Sequence, residues 1–92
     1  MDREMATLIL KKKLNELQEK LSAREVTMTL TDEAFTQLLD EGFTREYGAR
    51  EMDRVIAQRL KPLLMREILF GSLKQGGNVK ISIVDSRLAI IS

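Results

Sequence analysis

The sequence predicts an α+β fold, with three helices packed on a small three-stranded β-sheet. Apolar residues recur at helical spacing in three stretches, apolar–polar alternation marks three shorter ones, and turn-forming residues separate them. With 92 residues, the chain is expected to form a single domain over 1–92 with one modest core.

The first helix is expected over about residues 3–23. Met5, Leu8, Ile9, Leu10, Leu14, Leu17 and Leu21 recur at helical spacing, and Leu10, Leu14, Leu17 and Leu21 form the regular stripe. The stripe lasts under two heptads, too short for a coiled coil. Glu16 precedes Lys20 by four, the favourable order for an exposed ion pair, and Lys11-Lys12-Lys13 reads as a solvated face.

Val26 to Leu30 alternates apolar residues with two threonines, the pattern of a half-buried strand. Thr31 is an expected N-cap, with Asp32 and Glu33 in the first turn where acidic groups are favoured. This second helix should run to about Glu41 with Ala34, Phe35, Leu38 and Leu39 inward. Gly42 is expected to take the left-handed position after the helix and let Phe43 fold back onto Leu38.

A long third helix is expected from near Gly48 to about Phe70. Its apolar stripe is Ala49, Met52, Val55, Ile56, Leu60, Leu63, Leu64 and Ile68, and Gly71 stops it. Pro62 lacks a backbone donor and disfavours helix at Lys61, so a kink or brief break is expected there. After the Gln75-Gly76-Gly77 turn, Val79, Ile81 and Ile83 alternate with polar residues. Asp85-Ser86 is a two-residue turn, and Leu88 and Ile90 continue the alternation on the returning strand. The strand at 26–30 is too short to stand alone and should join this hairpin in one sheet.

Composition excludes several chemistries. The net charge of +1 gives no bulk attraction to nucleic acid or to an anionic membrane. There is no Cys and no His, which removes disulfides, thiol nucleophiles, cysteine zinc sites and the usual general base. No apolar run reaches membrane-span length, no signal-peptide core opens the chain, and a cytoplasmic location is expected. Asp32-Glu33 and Asp40-Glu41 are sequence neighbours that point apart on a helix, so neither makes an acid/base pair. No GxxxxGK[ST] phosphate loop occurs, and no apolar strand ends in an acidic pair for Mg²⁺. No catalytic residue and no metal ligand is assigned.

One position stands out. Arg50 follows Tyr47-Gly48-Ala49 where a glycine-containing turn feeds a helix start, a suitable place to meet an anion. On local physics alone the commoner reading of such an arginine is a solvated surface residue.

The pattern around it is more specific. Gly42-Phe43, Tyr47-Gly48-Ala49-Arg50, Arg54-Val55-Ile56, Lys61-Pro62-Leu63 and Ile68-Leu69-Phe70-Gly71-Ser72-Leu73 with Gly76-Gly77 stand in one register. In that register the chain resembles the C-terminal small subdomain of the Clp family of AAA+ ATPases, most of all its ClpA branch, from about Leu10 to Ile91. The resemblance implies an AAA+ small, or lid, subdomain of a protein unfoldase. Arg50 would match the sensor-2 arginine that approaches the ATP phosphate, with Gly48 and Ala49 beside it. Mg²⁺ would be held by a large subdomain of the same chain, which also carries the phosphate loop. Neighbouring protomers in a hexameric ring and a ClpP-type peptidase are the further partners implied. Glu51 departs from the family, where many members have Pro, and could pair with Arg50.

Two readings from other classes stand beside this one, a small nucleic-acid-binding domain using the arginines of the third helix and an oligomerisation module built on the leucine stripe. Near-neutral charge and few aromatics weigh against the first. Lacking a phosphate loop, this chain alone should turn over no ATP and bind it more weakly than micromolar. Calorimetry checks this, and a micromolar dissociation constant would contradict it.

Overall fold

The computed structural model describes residues 2–44, 46–71 and 73–91. Ser72, part of the closing motif above, lies outside them. The elements run α1 (Arg3–Ser22), β1 (Val26–Leu30), α2 (Asp32–Gly42), α3 (Met52–Val55), a π-helical turn (Ile56–Leu60), α4 (Lys61–Phe70), β2 (Gly77–Val84) and β3 (Arg87–Ile90). α3, the π turn and α4 follow without interruption and make up the third helix. The expected α+β fold of three helices and a three-stranded sheet is the one found.

The sheet has the order β1-β2-β3, with β1 parallel to β2 and β2 antiparallel to β3. The register places Val26, Met28, Leu30, Val79, Ile81, Ile83, Leu88 and Ile90 on one face. All are buried or half-buried, whereas Thr27, Thr29, Asn78 and Lys80 on the other face are exposed. The helices therefore cover one side only, which is what the period-2 alternation requires. Asp85 and Ser86 both take positive φ, 52° and 65°, the backbone of a tight hairpin turn.

Thr31 joins helix and sheet. Its hydroxyl accepts from the Ala34 N–H at 3.2 Å as the α2 cap and donates to Ser82 Oγ at 3.1 Å, while its own N–H donates to the Ile81 carbonyl at 2.9 Å. Gln18 on α1 has a comparable role at the outer edge of β1. Its carboxamide accepts from the Met28 N–H at 2.8 Å and donates to the Val26 carbonyl at 3.0 Å, standing in for a fourth strand.

The structure corrects four details of the sequence reading. Gly42 is not in the left-handed region; it is the last, buried residue of α2, and a Cβ there would run into Met52, whose Cα lies 3.2 Å from it. The glycine lets the start of the third helix pack directly on the end of α2. Phe43 is half-buried against the core. On α1, Met5 and Leu8 are exposed, and Ala6, absent from the expected stripe, is fully buried. Glu16 and Lys20 make no ion pair; Lys13 instead bridges to Asp53 at 2.7 Å, and Arg3 to Asp40 at 2.7 Å. The third helix begins at Met52, with turns before it, not near Gly48.

The irregularity expected at Lys61-Pro62 is a π turn just upstream, closed by the Lys61 N–H on the Ile56 carbonyl. Two causes converge. The Pro62 ring would clash with the carbonyl four residues back in an unbroken α-helix. The buried residues Met52, Ile56, Leu60, Leu64 and Ile68 also stand four apart. In a straight α-helix each such step drifts ~40°, so the last would lie ~160° from the first. A wider turn rotates each residue less and brings the row back toward the core.

Leu60 ends that turn, with φ −103°, and is fully buried. Leu60→Ala should cost about 2–5 kcal/mol, the range for buried leucine truncation. Urea melts of the variant and parent chains check this, and overlaid curves would place Leu60 outside the core.

Candidate functional site

The segment before the third helix is tied to itself. Thr44 and Gly48 exchange backbone hydrogen bonds at 3.0 and 2.9 Å, and the Thr44 hydroxyl accepts from the Tyr47 N–H at 3.1 Å. Gly48 takes φ 60°, a conformation that only glycine adopts freely. The Arg50 N–H then donates to the Tyr47 carbonyl and the Met52 N–H to the Ala49 carbonyl, both at 3.1 Å. Ala49 is half-buried against the core, and Met52 is fully buried. Arg50 thus sits between fixed points on both sides.

Its side chain is exposed. Among the described residues, no hydrogen bond or ion pair engages its guanidinium. The competing partner considered above, Glu51, pairs with Arg54, which also reaches Gln58 at 3.4 Å. The N–H groups of Gly48, Arg50 and Met52, before and at the helix start, close turns. What Arg50 itself offers an anion is the planar guanidinium fork.

The structure therefore brings Gly48, Ala49 and Arg50 together, with the first two shaping the turn that presents the third. Thr44, which sequence reasoning missed, closes that turn; its signal was a hydroxyl residue three positions before Tyr47. A cleft of about 600 Å³ on the same molecule does not include these residues; it lies between α2, the π turn and the β2–β3 hairpin. Among the described residues, no group of three or more carboxylates could hold a metal ion, and no helix is long and apolar enough to cross a membrane.

A family model described as the C-terminal, D2-small domain of ClpB protein matches residues 1–81. The chain belongs to this family. Among similar curated proteins, the ClpA homolog protein of Fuscovulum blasticum is 35% identical over 88 residues, 96% of this chain and 11% of the relative. The chaperone protein ClpB of Oceanobacillus iheyensis is 36% identical over 70 residues, 76% of this chain and 9% of the relative. The ClpB of Brucella suis is 37% identical over 75 residues, 82% of this chain and 9% of the relative. The chain spans about a tenth of the length of these relatives. The Clp-type identity expected from the Gly42-to-Gly77 register is borne out, and the relatives carry both ClpA and ClpB names.

Within this D2-small domain, the turn geometry should be sensitive to one methyl group. Gly48→Ala places a Cβ on a left-handed residue and should destabilise the domain by about 1–2 kcal/mol. Chemical denaturation of the variant checks this, and unchanged stability would mean that the turn relaxes at no cost.

Proposed function

We propose that this domain is the lid, or sensor-2, subdomain of an ATP-dependent Clp-type protein unfoldase. It forms a single unit over 1–92, is inactive alone, and supplies Arg50 to the ATP phosphate. The observation that carries this reading is the state of Arg50, exposed and unpaired among the described residues on a turn closed by backbone hydrogen bonds. Bound ATP, with Mg²⁺ held by the large subdomain of the same chain, supplies the phosphoryl group.

The residues of this chain act by position. A guanidinium can meet phosphate oxygens through two parallel N–H groups and stays charged at any working pH. Gly48 and Ala49 set the turn, and Met52 against Gly42 anchors it to α2. A pull on Arg50 is then transmitted to the packed helices instead of being lost in a loose loop. Nucleotide state would thereby set the angle between small and large subdomains, a hinge-type switch. In the same reading the domain contacts neighbouring protomers of a hexameric ring, a ClpP-type peptidase is reached through the parent protein, and the setting is cytoplasmic, with neither nucleic acid nor membrane as partner.

The test uses the parent ATPase. Arg50→Lys should lower turnover nearly as much as Arg50→Ala, because lysine keeps the charge and loses the fork. Nucleotide affinity should change less than turnover, and domain stability by no more than about 0.5 kcal/mol, as for an ordinary surface substitution. Turnover at saturating ATP and nucleotide affinity for the three forms decide the matter; full activity of the alanine form would reduce Arg50 to a surface residue.

A further inference from the structure

The two edges of the sheet are treated differently. The outer edge of β1 is closed by the Gln18 carboxamide on Val26 and Met28. At the other edge, β3 pairs Ser82 with Ala89 and Val84 with Arg87, and the Ile91 N–H donates to the Lys80 carbonyl at 2.8 Å. In an antiparallel ladder this turns the backbone groups of Arg87, Ala89 and Ile91 toward β2 and those of Leu88 and Ile90 outward. Among the described residues, no group pairs with these outward N–H and C=O groups. The cleft of about 600 Å³ opens beside this edge, lined in part by Arg59, Pro62, Leu63, Ser86, Arg87 and Leu88.

We propose that the β3 edge is a docking site for an extended peptide segment, which adds a further strand to the sheet. Main-chain hydrogen bonds to Leu88 and Ile90 would provide the affinity, and alternate side chains the selectivity. Leu88 faces the helix side with Leu63 and Pro62 in the cleft, so every second residue of the segment is apolar. Arg87 lies on the open face, exposed and without an ion pair among the described residues, so an intervening residue is acidic. A second copy of this chain fits less well. Pairing through a four-residue strand rests on little area against the roughly 1,000 Å² of a stable interface, and it leaves the Arg87 of each copy without an acidic partner on β3.

The experiment is an amide-resolved NMR titration of the 92-residue chain with a blocked nonapeptide alternating valine and aspartate. Two controls accompany it, a valine–lysine peptide and the first peptide N-methylated on alternate amides. The expected result is saturable shifts centred on the Leu88 and Ile90 amides and on Leu63, lost with the N-methylated peptide and weaker with the lysine peptide. Arg87→Glu, at an exposed position, should weaken the aspartate peptide by roughly fivefold and favour the lysine peptide. Absence of saturable shifts overturns the proposal. Equal binding of the N-methylated peptide, or shifts centred on β1 and α1, does the same. Shifts of Leu88 and Ile90 on dilution without peptide would assign the edge to a second copy and overturn the peptide reading.

Discussion

Five buried residues spaced by four, Met52, Ile56, Leu60, Leu64 and Ile68, have to reach the same core. An ideal α-helix does not allow it, because the row would wind away from the sheet. The π turn at Ile56–Leu60 resolves the conflict and makes room for Pro62. The position of the helix start follows from the same constraint. With the lower half of the helix held by Leu64 and Ile68, Met52 comes against α2 at Gly42, where no side chain stands in the way. The Thr44–Gly48 turn must then span the remaining distance, and it carries the residue of interest.

Much of this was legible in the sequence because the signals were local. Thr31 before two acidic residues is a cap whose partners lie within one turn, and it caps as expected. The alternation at Val26–Leu30 and Val79–Ile83 marks strands because each has one covered face. The Asp85-Ser86 turn and the stop at Gly71 are likewise local. Features set by a distant partner were not legible. Gly42 reads as a helix terminator until Met52 is seen against it. Gln18 is an ordinary helix residue until β1 lies alongside. Met5 and Leu8 fit the helical period, but the core reaches this end of α1 only at Ala6, a residue small enough for close packing.

The candidate site shows the same division. That Arg50 follows a glycine turn is written in the sequence, and the Gly42-to-Gly77 register carries the family. That the N–H groups of Gly48, Arg50 and Met52 are spent on turn closure depends on hydrogen bonds made to Thr44, Tyr47 and Ala49. Those three donors are therefore not free to reinforce an anion contact, which the guanidinium fork can make. An exposed guanidinium in water gains little from one partner. Its effect grows where water is excluded, which requires a second surface over it.

The arrangement of charges near the turn directs several acids to cations other than Arg50. Glu51 is its sequence neighbour, and adjacent residues at a helix start diverge around the axis, whereas residues three apart share a face. Glu51 accordingly meets Arg54, and Arg54 extends to Gln58 along the same side. Asp53 is drawn off by Lys13 on α1, and Glu41 by Arg59 at 3.5 Å. Each pair is worth little to stability at the surface. Together they occupy Glu41, Glu51 and Asp53 with cations other than Arg50. What they provide is selectivity among partners: an arginine unpaired among the described residues, with three nearby acids in sequence already engaged elsewhere.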